Sequence, residues 1–325
     1  MGKDSAISWC HHTFNLWWGC WKISAGCQHC YAATMDKRTG GDHWQRAGER
    51  KFMSAAYWRG PIAWNKAAAK AGERHRVFCG SMMDIGETHP NPVIAAQQNA
   101  ARDELWNLIL ATPNLDWLLL TKRTADLRSH LPWGERGAFA EPFKNVWLGT
   151  SVENQPAANE RIPDLRATPA AVRFLSCEPL IGQVDLSRHL WKVCARCHGS
   201  GIARGDGWGG GMAGDGCDCS CRDAVGPRGR VRAIDWVIAG CESGPGARPC
   251  DVAWLRSLRD QCAAAAVPFF LKQAVATSDG DRVMGEDGAD ETAVMTGPDS
   301  KRKAGGVIEL PYLDGEQWAA FPTRW

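Results

Sequence analysis

The chain has 325 residues, 44% of them apolar, a net charge of +2 and 14 cysteines. That length fits one large domain or two ordinary ones, with enough apolar material for a full core. The near-balanced charge excludes a strong overall field for a polyanion, leaving a local basic groove as the only electrostatic route to nucleic acid, and no apolar run reaches the roughly 18–20 residues needed to span a bilayer.

The N-terminal stretch "MGKDSAISWCHHTF" lacks the apolar run of a signal peptide, so a cytoplasmic chain with no membrane partner is expected. In that compartment thiols bind metal more often than they form disulfides. The cysteines fall into two tight groups, which also favours metal sites. "FNLWWGC" (14–20) is the first candidate strand. It is followed by "RVFCGSMMD" (76–84), "DWLLLTKR" (116–123), "NVWLGTSVE" (145–153), "VRFLSCEPL" (172–180), "DWVIAGCES" (235–243) and "VPFFLKQ" (267–273). Their short continuous apolar cores suit strands covered on both faces. Helical stretches lie between them. "NPVIAAQQNAARDELWNLILA" (91–111) opens with Asn-Pro at the cap and first-turn positions; "NQPAANERIPDL" and "CDVAWLRSLRDQCAAAA" are shorter.

Strands alternating with helices predict an α/β fold with a parallel sheet. Six or seven such units predict a full or partial (β/α) barrel of the TIM type. Residues 191–230 are rich in Cys and Gly and interrupt the rhythm, so the barrel is expected over 1–190 and 231–275, with 191–230 as a zinc-knuckle-like insertion. Residues 276–325 read as a polar loop followed by a C-terminal extension, "VIELPYLDGEQWAAFPTRW", that packs back on the barrel.

In such barrels the site is built just past the C-terminal ends of the strands. The residues there are polar on every strand: Ser81, Asp84, Thr121, Lys122, Ser151, Glu153, Glu178, Glu242, Ser243, Lys272 and Gln273. One or two would be ordinary loop polars; a set at each strand end predicts a shared site.

Cys20, Cys27 and Cys30 lie within eleven positions of one another. Structural zinc wants four ligands, and the nearest extra candidates are Cys10, His11, His12 and His29. A zinc site completed by Cys10 or a histidine is one reading, and inert buried cysteines are another. The third is a [4Fe–4S] cluster, which prefers thiolates. Three cysteines would then hold three irons and leave the fourth open to a small molecule. The loop should follow the first strand, on the active face.

These three cysteines, the aromatic Tyr31 after the third, and the barrel pattern resemble the radical S-adenosylmethionine superfamily. The usual spacing there is three and two; here the first gap is six. The chain is more closely similar to a bacterial and phage family of poorly defined function, related to the spore photoproduct lyase type. The likeness lies in "TFNLWWGCWKISAGCQHCYA", "LLLTKR", "WLGTSVENQ", "RFLSCEPL", "DWVIAGCESGPGARP" and "VPFFLKQ", over about residues 7–273 and again near "LDGEQW".

The resemblance implies a cytoplasmic enzyme of a bacterial host, encoded by the host or by a phage. Its Cys20, Cys27 and Cys30 would ligate the cluster, and the open iron would bind the methionine moiety of S-adenosylmethionine. One electron, from a flavodoxin- or ferredoxin-type donor, would cleave the sulfonium bond, and the adenosyl radical would take hydrogen from the substrate. Ser81 and Asp84 would meet the methionine amino group, Lys122 or Arg123 its carboxylate, and Ser151 and Glu153 the ribose. Glu178, Glu242, Lys272 and Gln273 would face substrate. The simpler alternative for both glutamates is a structural ion pair with Arg248 or Lys272. Cys177 and Cys241 precede those glutamates; each reads as a buried small residue or, by the same resemblance, as a hydrogen-atom donor, with Cys241 as the catalytic candidate.

In the second group, Cys194 and Cys197 are followed by Cys217, Cys219 and Cys221, with His198 as a weaker candidate. This spacing reads as a structural zinc site, with an auxiliary iron–sulfur cluster as the alternative. Three functions stay open. One is a radical enzyme (isomerase, lyase or base-modifying) acting on a modified base in phage DNA or on a nucleotide. The 17 tryptophans suit base stacking, although only 37–51 and 222–232 are locally basic. Another is the same chemistry on a small molecule or peptide. The last is a zinc-binding interaction protein without catalysis.

Overall fold

The structure, a computed structural model, describes residues 5–133, 137–193, 225–226, 230–244, 246–275, 283–284, 290–291, 294–295, 300–302 and 307–322. Cys194, Cys197, His198, Cys217, Cys219 and Cys221, and with them the zinc-knuckle expectation, lie outside the described residues.

Nine strands form the main sheet. They are β1 (His12–Phe14), β2 (His75–Cys79), β3 (Leu115–Thr121), β4 (Val146–Ser151), β5 (Val172–Cys177), β6 (Trp236–Gly240), β7 (Phe269–Val275), β8 (Lys301–Arg302) and β9 (Val307–Glu309). Their spatial order is β1-β2-β3-β4-β5-β6-β7-β9-β8. The first seven are parallel and lie in chain order; β9 pairs antiparallel with β7, and β8 with β9. The sheet has two edges, β1 and β8, so the partial barrel is the form present.

Among the described residues the longer crossover helices are α2 (Gly60–Ala71), α3 (Pro92–Ala111), α4 (Gln155–Ala167) and α5 (Val252–Ala264), with α1 (Tyr31–Arg38) before them and the short helix Thr124–Leu127 between β3 and β4. Their starts are written in the sequence. Asn91, Asn154 and Asp251 each accept a backbone N–H of the first turn, from Val93, Ala157 and Ala253, at 2.9, 3.0 and 2.8 Å. Pro92 and Pro156 sit where no intrahelical N–H is needed.

Alternation along the strands sorts two cores. Val77, Cys79, Trp117, Leu119, Leu148, Leu175, Cys177, Val237, Ala239 and Leu271 pack on the helices, against Trp64, Leu105, Ile109, Ile162, Leu165, Leu255 and Leu258. The alternate residues Phe78, Leu118, Trp147, Phe174, Trp236, Ile238 and Phe270 line the concave side and form a second core with Trp9. This aromatic floor packs edge to face: Trp236 meets Trp147 at 6.0 Å and 88°, and Phe270 at 6.0 Å and 85°. Phe321, from the end of the chain, closes it at the N-terminal ends of the strands, 5.3 Å from Trp236 and 5.2 Å from Phe270. Gly149 makes room for Phe174, whose ring carbons would lie 2.3–2.5 Å from a Cβ there. The floor fills the N-terminal half of the concavity, which leaves chemistry to the C-terminal rim.

Candidate functional site

Residues 15–30 leave β1 at that rim. Asn15 fastens them to the end of β2: its Oδ1 accepts from Met82 N at 2.7 Å and its Nδ2 donates to Ser81 Oγ at 2.9 Å. Trp17 and Trp18 then pair antiparallel with Phe52 and Lys51. Cys20, Cys27 and Cys30 follow, all half-buried. Cys30 is the N-cap of α1.

Three arginine–carboxylate pairs hold this loop. Asp84, just past β2, is buried. Its Oδ1 accepts from the Thr121 hydroxyl and from Gly86 N; its Oδ2 accepts from Lys122 N at 3.0 Å and Arg123 Nη1 at 2.8 Å. Arg123 passes the restraint on, donating to Cys20 Sγ at 3.5 Å and Trp21 O at 3.0 Å, with its guanidinium 4.3 Å from the Trp21 ring centre. Glu153, past β4, accepts from Arg161 Nη1 at 2.7 Å and from Gly26 N at 3.3 Å. A Cβ on Gly26 would stand 2.9 Å from Glu153 Cδ, so glycine lets the loop settle on the carboxylate. Glu242, past β6, accepts from Arg248 Nη2 at 2.6 Å, and its Oε2 lies 3.0 Å from His29 Nδ1. Arg248 Nη1 reaches Ala25 O at 2.9 Å.

These contacts decide the charges. Burial disfavours ionisation of Asp84 and Glu153, yet Arg123 and Arg161 with their hydrogen bonds hold both carboxyls below their usual range. Burial likewise opposes ionisation of Glu242, but its bonds from Arg248 and His29 bring it down to about 2. Cys20 is pushed up to about 12 by burial, partly offset by Arg123. Cys27 is lowered: burial acts against it, but Lys122 and the backbone N–H groups of Ile23 and Ser24 outweigh that.

The remaining expected residues divide by alternation. Lys122, Ser151, Glu178 and Glu242 continue the concave series of their strands, while at Lys272 the register of β7 against β6 shifts by one residue. Glu178 and Lys272 form an ion pair, both half-buried. Cys177 belongs to the helix-side core, and Cys241 lies just past the end of β6. Both thiols are fully buried, and burial pushes each up to about 12. Gln273 donates to Cys241 O at 2.8 Å, linking β7 to β6. Sequence reasoning missed Arg161 and Gly26, and named His29 only as a candidate zinc ligand rather than as a partner of Glu242. A buried arginine on the apolar face of α4 was the available signal for the first. A separate cleft between α3 and residues 129–132 and 137–138, lined by Arg102, Trp106 and His130, shares none of these residues.

Among the described residues, no group of three or more His, Cys, Asp or Glu side chains is placed to hold a metal ion. A cubane cluster takes its thiolates at separate irons. The donor chemistry fits that group: three thiols on one loop, with Arg123 and Lys122 beside two of them to offset thiolate charge. No helix among the described residues is long and apolar enough to cross a membrane.

The family described as "Protein of unknown function (DUF5131)" matches residues 4–322, and the chain belongs to that family. No curated protein and no solved structure matches the chain.

Proposed function

We propose, for this member of its family, that the rim is the seat of radical S-adenosylmethionine chemistry, with Cys20, Cys27 and Cys30 as ligands of a [4Fe–4S] cluster. The observation that carries the reading is the convergence of three arginine–carboxylate pairs, from three parts of the rim, on the one loop that bears the three thiols. Burying charge costs several kcal/mol per ion unless it is paired. Three such pairs around one loop suit a loop whose atoms must be held to a fixed geometry.

When bound, the cluster and S-adenosylmethionine supply one-electron cleavage of a sulfonium carbon–sulfur bond and removal of hydrogen from a carbon of the substrate. The chain's own residues hold and orient. Asp84 and Glu153 are committed to Arg123, Arg161 and the loop. Contacts to the cofactor therefore fall to Ser81, Ser151 and Lys122. The Glu178–Lys272 pair presents both signs of charge to a substrate. The proposed substrate is a modified base in DNA or a nucleotide, supported by the exposed cations Lys22, Lys37 and Arg38 around the loop. A structural zinc on the second cysteine group remains part of the proposal.

The test is metal content. The protein is purified without oxygen, reconstituted with iron and sulfide, and compared with a Cys20→Ala, Cys27→Ala, Cys30→Ala triple variant. The expected result is a brown protein with about four irons that the variant loses, followed by reductive cleavage of S-adenosylmethionine. A colourless protein whose variant loses one zinc would sink the reading in favour of a zinc-binding interaction protein. Failure of the iron-loaded protein to bind duplex DNA would move the substrate to a small molecule or peptide.

A further inference from the structure

We infer that Arg123 is a positioning residue of the cysteine loop, fixed by Asp84, whose hydrogen bond to the Cys20 sulfur raises the reduction potential of a cluster held there. The inference rests on the cluster reading above. Its geometric part stands on contacts of the chain alone.

Arg123 is buried with three restraints on its planar fork. Asp84 Oδ2 holds Nη1 at 2.8 Å, Trp21 O holds Nη2 at 3.0 Å, and the Trp21 ring lies against its face at 4.3 Å. The Nη1 group is then 3.5 Å from Cys20 Sγ. Asp84 is itself fixed by Thr121, Gly86 and Lys122, so the guanidinium cannot follow the loop if the loop moves. Among the described residues no other thiol of the three is bonded to a guanidinium. Cys27 approaches the Ser24 hydroxyl at 3.7 Å.

Reduction adds one electron to the cluster and its thiolates. A cationic donor on a ligating sulfur stabilises the more negative, reduced state. The Arg123 contact therefore shifts the potential upward, toward easier reduction. A lysine at this position keeps the charge but loses the fork and the flat face that stacks on Trp21.

The experiment compares wild type, Arg123→Lys and Arg123→Gln, each reconstituted without oxygen. Iron is counted, and the midpoint potential is read from a dithionite titration followed by electron paramagnetic resonance. Amide hydrogen exchange of residues 19–30 is measured on the metal-free proteins. Arg123→Gln should retain iron and show about tenfold less reduced cluster at a fixed ambient potential, equal to about 59 mV for one electron. Arg123→Lys should fall between it and wild type. Unchanged midpoints in both variants overturn the inference. Should Arg123→Gln lose its iron, faster exchange of the metal-free loop supports positioning and unchanged exchange overturns it. Should wild type bind no iron, the cluster reading fails, and the same exchange comparison decides the positioning role alone.

Discussion

Along β6, Trp236 and Ile238 enter the aromatic floor, while Glu242, further along the same concave series, meets Arg248 and His29. The same change occurs on β4, where Trp147 lies in the floor and Glu153 binds Arg161 beyond the strand end. Floor and rim thus come from the same strands and are held by opposite means. The floor is dry, large-ringed and close-packed, which resists deformation. The rim is made of paired charges whose strength depends on each partner staying in place. One region gives the half-barrel its stability, and the other gives a single loop its position.

That division can be broken experimentally, starting with the floor. Trp236→Ala removes a fully buried indole that touches Trp9, Trp147, Phe174, Phe270 and Phe321. It should cost about 3–5 kcal/mol, read as a lower denaturation midpoint. The exchange rate of loop 19–30 at low denaturant should stay near that of wild type. Asp84→Asn strikes the rim. It leaves the Arg123 guanidinium buried without its counter-charge and should cost about 3 kcal/mol, with residues 20–21 exchanging faster. Equal loosening of the loop by both variants would erase the distinction between floor and rim.

Gly26→Ala sharpens the comparison, because it removes no interaction and only pushes the loop from Glu153. A cost of about 1–3 kcal/mol is expected for the overpacking, with the local exchange of residues 24–28 affected most. The mildest probe is pH. In the folded chain the Glu242 carboxyl is held down to about 2, below its ordinary value of 4.5, so its pairing stabilises the protein fully above 4.5. That contribution is lost as pH falls from about 4.5 toward 2. Residues 25–29 should loosen over this window in wild type, and much less in Glu242→Gln. Hydrogen exchange corrected for its intrinsic pH dependence checks the point.

Six of the seven parallel strands were legible because each is a short apolar run between turn residues, and the three main helices because Asn-Pro or Asp marks their starts. β1 was placed too late, at 14–20. Its pairing with β2 ends at Phe14, and the next apolar residues, Trp17 and Trp18, serve a separate two-stranded ribbon with Lys51–Phe52. The polar strand ends were legible as a group. Their partners were not, because Arg161 and Arg248 arrive from a helix and a loop, and only the fold brings them to Glu153 and Glu242. Asp84 shows the same limit. Its position past β2 could be read, but three of the four hydrogen bonds that engage its carboxylate come from β3 and the turn beyond it, and the fourth from Gly86 in its own loop.

The closure of the floor by Phe321, and of the loop's last anchor by Arg248, bears on biosynthesis. Cys20, Cys27 and Cys30 leave the ribosome early, long before Arg248 exists to seat their loop or Phe321 to cover Trp236. Chains emerge N-terminus first and domains fold as units. The nascent protein therefore carries three accessible thiols through most of its translation, and whatever loads or protects them in the cell must act during that interval or after the chain is released.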